Sequence, residues 1–195
     1  MRLTTTSSFL WKAVSLIVGL AISVAVADAD TYAITNSNFI GSGNFGTVTT
    51  TLVGNTIRVD VALAAGYVIH TAGVGFNVID PDAGVTMGGF SAHFSTGPTG
   101  HAFDGFGKFE FSSACDETPS SARTHGTNTA QFTVSRTSGF TNASQLAEAN
   151  SSGWAFAIQA APVDPNAATG FFTAGPTGIT AVSGTTWGRL KRMYR

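Results

Sequence analysis

The stretch TIRVDVALA, residues 56–64, alternates without interruption. Ile57, Val59, Val61 and Leu63 fall on one side; Arg58 and Asp60 fall on the other. Side chains of a strand point alternately to its two faces, so this pattern predicts a half-buried β-strand. The preceding GTVTTTL, residues 46–52, alternates Val48, Thr50 and Leu52. Between the two lies Gly54-Asn55, a pair that suits the positive φ of a two-residue hairpin loop. A β-hairpin is therefore expected here, with Val61 in the core and Asp60 in water.

Outward from the hairpin the same texture continues. YVIH (67–70), VGFNVI (74–79), VTMGGFSAHF (85–94), GKFEFSS (107–113), TAQFTVSR (129–136) and WAFAIQA (154–160) are rich in β-branched and aromatic residues. Gly, Asn and Ser punctuate them as turns do. In the last, Trp154, Phe156 and Ile158 share one face, which assigns Trp154 to the core. NASQLAEAN, residues 142–150, is the one helical passage, with Asn142 as its cap. Short strands without a βαβ rhythm predict an all-β, mainly antiparallel fold. The expected architecture is a two-sheet β-sandwich or jelly roll with one short helix near 142–150. Its core would be packed largely by the 15 Phe residues.

The ends divide the chain. Arg2 and Lys12, the apolar run 13–24 and the small residues of AVA form the sequence of a secretory signal peptide. Cleavage is expected between Ala27 and Asp28, which removes 1–27. The apolar run is shorter than a membrane span of about 20 residues, and no later segment is long enough to provide an anchor. Residues 28–188 would form a single domain, followed by the basic tail 189–195. The body carries 4 basic against 11 acidic residues. This balance argues against nucleic acid as a partner, because phosphate binding requires clustered Lys and Arg. Cys115 is the single cysteine, so an exported chain would carry it as a free thiol or as a bond to another chain.

Seven residues are nearly written twice: FSTGPTG at 94–100 and FTAGPTG at 172–178. Neither copy has the Lys and Ser/Thr ending of a phosphate loop. Both are expected to be tight turns, with Pro98 and Pro176 setting φ and Gly100 and Gly178 closing the bend. Folding the first copy at Pro98-Thr99 places Phe94 opposite Phe103 and His93 opposite Asp104.

His93 and Asp104 are then the candidate ligand-binding pair, an oriented imidazole for acid–base work or a plain cross-strand contact. The four His residues, at 70, 93, 101 and 125, lack metal-ligand spacing, so no metal or other cofactor is expected. DPDAG (80–84) has too few oxygen ligands for a calcium loop and reads as a turn. Asp104 and Glu110 lack a defined separation for glycoside hydrolysis, and Glu110 shares a strand face with Lys108. No G-x-S-x-G elbow is present, and the acidic neighbours of Cys115 disfavour its thiolate. No catalytic residue is assigned. Trp154, Trp187 and Tyr67 are the aromatic residues available for a sugar platform.

Taken in order, HAFDGFGKFEFSSAC, RTSGFTNASQLAEANSSGWAFAIQA and ATGFFTAGP resemble segments of small exported bacterial proteins of the PEP-CTERM sorting class. The resemblance spans roughly residues 41–178. It implies an exported, mostly β protein associated with exopolysaccharide or surface matrix, and it carries over no catalytic residue. The closing TAVSGTTWGRLKRMYR has the basic cluster of such proteins without their Pro-Glu-Pro motif or apolar helix. The expected function is that of a non-enzymatic matrix or surface protein. A carbohydrate-binding module is the alternative, and a glycan hydrolase a more distant one.

Overall fold

The computed structural model describes residues 28–81 and 84–179, with no side chains described beyond residue 175. The expected signal peptide, its Ala27 cleavage position, Trp187 and the basic tail lie outside the described residues. Twelve strands follow one another: β1 (Ala29–Ser37), β2 (Gly46–Val53), β3 (Thr56–Leu63), β4 (Tyr67–Phe76), β5 (Thr86–Gly88) and β6 (Phe94–Thr96). Then come β7 (His101–Phe103), β8 (Gly107–Phe109), β9 (Phe111–Cys115), helix α1 (Pro119–His125), β10 (Thr129–Ser135), β11 (Phe156–Pro162) and β12 (Gly170–Ile179). No described helix is long and apolar enough to cross a membrane.

The expected hairpin is β2–β3, paired from Gly46↔Leu63 to Val53↔Thr56. Gly54 takes φ +63°, while Asn55 is not among the described residues with positive φ. A positive φ at the first loop position alone is the II′ pattern, and it matches the natural twist of the strands. Val61 is 2% exposed. Asp60 is half-buried rather than free in water, held by Arg58 and Gln131.

The fold is all-β and antiparallel, as the alternation predicts. Ten strands join in one sheet of order β5-β10-β3-β2-β1-β12-β11-β4-β9-β6, and β7–β8 form a separate hairpin. The large sheet curls until it nearly closes, so both layers facing across the core belong to it. Phe76 of β4 stacks on Phe132 of β10 at 5.6 Å across that core. Tyr32, Phe76, Phe132, Phe156 and Phe172 fill the interior. Two elements cover parts of the outer face. The β7–β8 hairpin lays Phe103 and Phe109 against Ala157. Gly75 makes this approach possible, since a Cβ there would sit 2.4 Å from the Phe103 ring. Helix α1 packs Ala122 on Val68 and Ala161.

Several expectations need correction. β6 does not fold back on β7; it pairs with β9, Phe94↔Cys115 through Thr96↔Ser113. That register sends Phe94 into the main core, which a Phe94–Phe103 pair would not achieve. His93 therefore does not face Asp104. The first heptad copy does turn, at Thr99-Gly100, with Gly100 at φ +64°. The second copy lies within β12, between β1 and β11, and is strand rather than turn. Its Gly-Pro-Thr-Gly is absorbed as an irregularity: Ile34 pairs with Ala174, yet Tyr32 pairs with Ile179. A bulge is where a sheet accepts a proline, which has no N–H to donate. The helical passage at 142–150 shrinks to a 3₁₀ turn, Ala143–Leu146, and the α-helix lies instead at Pro119–His125. Trp154 is half-buried against Phe106 on the outer side, not in the main core.

Candidate functional site

The segment CDETPSSARTHGT, residues 115–127, builds the site. β9 ends at Cys115. Thr118 caps α1 by accepting from the Ser121 N–H, and Pro119 occupies the first turn, where a missing N–H costs nothing. Gly126 ends the helix in the left-handed conformation at φ +66°, donating back to the Ala122 carbonyl. Seven residues of helix thus return the chain, and His125 comes to rest over Glu117. The Nδ1 of His125 contacts Glu117 Oε1. Thr127 Oγ1 donates to Glu117 Oε2. The β6–β9 register supplies a third group: His93 Nδ1 lies 3.5 Å from the same Oε1 and 3.1 Å from Asp116 Oδ1. The two imidazoles stack at 5.3 Å, nearly parallel at 12°.

Glu117 is a buried carboxylate with an exposed cover. Its side chain is 3% exposed, against 39% for His93 and 53% for His125. Burial alone would raise its pKa. The hydrogen bonds from Thr127 and His125, with the charges of His93 and His125, outweigh burial and hold the carboxyl below its usual range. One ligating atom from each of His93, Glu117 and His125 lies within 4.8 Å of the others.

The backbone here is strained. Among the described non-glycine residues only Thr71 (φ +44°), Asp80 and His93 (φ +70°) are left-handed. Two of the three hold this cluster: the Thr71 N–H donates to the Glu117 carbonyl at 2.9 Å, and the Asp116 N–H to the His93 carbonyl at 3.0 Å. A β-branched residue at positive φ is a genuine outlier, and such strain persists where surrounding structure enforces it.

His70, which precedes Thr71 in β4, is almost fully buried. Its Nδ1 is 3.0 Å from Thr71 Oγ1. Burial lowers its pKa, outweighing a backbone hydrogen bond with Ala160 that raises it, and the Arg123 charge adds to the lowering. The unfolded chain takes up a proton near the ordinary His value of about 6.5, whereas buried His70 refuses it until lower pH. Stability from this residue is therefore complete above that value and is lost as pH falls toward the folded pKa. Urea unfolding of the wild type and of His70→Asn across this range checks the point. The wild type is expected to lose stability more steeply on acidification; equal slopes would contradict the assignment.

The candidates named from sequence separate in space. Asp104 sits in the exposed β7–β8 turn, where its carbonyl accepts from Asn38 Nδ2 at 2.8 Å. His101 pairs with Phe109 and packs edge-on against Phe103. Lys108 and Glu110 line a shallow polar hollow with Asn77, Glu148 and Asn150. DPDAG lies partly outside the described residues. Cys115 is buried, and burial first, then the charges of Glu117 and Asp116, push its thiol pKa up. The described aromatic residues are all buried or half-buried, Tyr67 and Trp154 among them. Sequence reasoning missed the His93–Glu117–His125 grouping because strand pairing assembles it. The Glu117-x7-His125 spacing around a Thr-Pro helix start was the visible signal. Comparisons with protein-family models, curated proteins and solved structures found no match.

Proposed function

We propose that the protein is an exported, non-enzymatic component of a cell surface or extracellular matrix, meeting polysaccharide through the outer face of β1–β3. The observation that carries this reading is a threonine face. Thr47, Thr49 and Thr51 alternate outward along β2, and Thr31 of β1 lies beside them, its hydroxyl 3.2 Å from that of Thr49. Arg58, Asp60 and Gln131 border the face as a hydrogen-bonded polar edge. Ranked hydroxyls on a stiff sheet match the repeating hydroxyls of a neutral glycan, and their low side-chain entropy keeps ordering costs small. The signal-peptide sequence and the resemblance to PEP-CTERM-class proteins support export and matrix association. With the described aromatic rings engaged in packing, a hydroxyl face fits the geometry better than the stacking platform of a carbohydrate-binding module.

The test joins three measurements on exported material. N-terminal sequencing is expected to begin at Asp28. The protein is expected to co-sediment with exopolysaccharide and to release no reducing sugar from it. The triple replacement of Thr47, Thr49 and Thr51 by Val keeps β-propensity and is expected to reduce the sedimented fraction severalfold. Undiminished sedimentation would overturn the threonine face, glycan hydrolysis the non-enzymatic reading, and a retained Met1 the export.

A further inference from the structure

We propose that His93, Glu117 and His125 form a binding site for a divalent transition-metal ion of the zinc type. Three properties of the cluster point to an ion rather than to a simple ion pair. The first is convergence: His93, brought in by the β6–β9 register, and Glu117 and His125 of residues 115–127 each place a ligand atom within 4.8 Å of the others. The second is enforcement. His93 is held left-handed, and a left-handed Thr71 donates to the Glu117 carbonyl; backbone strain of this kind clusters at functional sites. The third is support behind the ligands. Thr127 orients the free oxygen of Glu117, and Asp116 meets Nδ1 of His93. Partners of this kind fix ring and carboxylate orientation around bound metals.

The donor set selects the ion. Two imidazole nitrogens and one carboxylate oxygen suit zinc and its neighbours, whereas calcium and magnesium take cages of oxygens. Glu117 lies at the bottom of the site and the half-exposed histidines at its mouth, so an ion has an entry path from solvent. With three protein ligands a fourth position remains for water. The site lies on the α1 side of the sheet and is independent of the threonine face.

Isothermal titration of the purified, tag-free full-length chain with zinc sulfate tests this, with calcium chloride as the parallel probe. Zinc is expected to bind one ion per chain and calcium to give no saturable heat. His125→Ala and Glu117→Gln are each expected to weaken zinc binding at least tenfold, and Thr127→Val by about tenfold to a hundredfold. His93→Asn is the variant that protects against misfolding, because Asn tolerates positive φ; it is expected to keep the wild-type circular dichroism and lose the zinc. His101→Ala, outside the cluster, is expected to bind as the wild type does. Absence of zinc binding by the wild type would overturn the proposal. So would unchanged binding by folded His93→Asn and His125→Ala.

Discussion

Val61→Asp is expected to unfold the protein, while Asp60→Ser, one residue away, leaves it folded. Val61 is 2% exposed and lies between Val48 and Ala130 on its neighbouring strands. A carboxylate placed there has no described cation beside it. The penalty for an unpaired buried charge is several kcal/mol after relaxation. The whole stability of a domain is about 5–15 kcal/mol, so this one change consumes most of it. Asp60 has a different setting. Its side chain is 37% exposed; it accepts from Arg58 Nε at 2.7 Å and from Gln131 Nε2 at 3.0 Å. Pairs this open to water contribute about 0.2–1 kcal/mol. Thermal melts followed by circular dichroism separate the two cases. Equal shifts would contradict the register of β3.

Phe172→Ala is expected to cost about 3–5 kcal/mol, the range for deleting a large buried aromatic. Phe172 is fully buried on the inner face of β12. Its ring stacks on Phe45 at 4.5 Å and 8°, meets Tyr67 edge-on at 5.0 Å, and lies 5.2 Å from Phe39. Removing it leaves three rings without their common partner, and an interior strand tied to both β1 and β11 has little freedom to collapse. Phe171 provides the comparison. It points outward, half-buried, with Phe103 at 5.5 Å. Phe171→Ala is expected to cost distinctly less in urea unfolding. A larger loss for Phe171 would mean that β12 is turned over.

What was legible in the residues was whatever a single strand or loop decides. The β2–β3 hairpin was readable because alternation and a Gly-Asn loop act within 20 residues. β10 and β11 declared themselves in the same way. β1 was harder, since Tyr32 and Ile34 are its only large buried side chains. The repeated heptad marks the boundary of local reading. Its Gly-Pro-Thr-Gly turns the chain after β6, yet in β12 the flanking strands hold it extended. The pairing of β6 with β9 rather than β7 depended on where Phe94 finds a core, and no short-range rule supplies that. The candidate site inherits the same difficulty: His93 reaches Glu117 only through that register. Helix α1 did carry its own signals, a Thr-Pro start and a Gly stop, in a segment whose polarity reads as loop.

The order of strands has a consequence for how the chain acquires its structure. β1, at the front of the described chain, is locked between β2 and β12, and β12 is the last described strand. Hairpins such as β2–β3 can close early, within microseconds. The seam between β1 and β12 joins residues more than a hundred positions apart, with Ser37 opposite Phe172. Contacts this distant along the chain are made against a large loop-closure entropy, and proteins dominated by them fold in milliseconds to seconds. A ribosome-bound chain that has not yet released residues 170–179 lacks the strand against which β1 must register. Closure therefore cannot precede the release of β12, and until it occurs the first strand remains available to whatever machinery handles the unfolded chain.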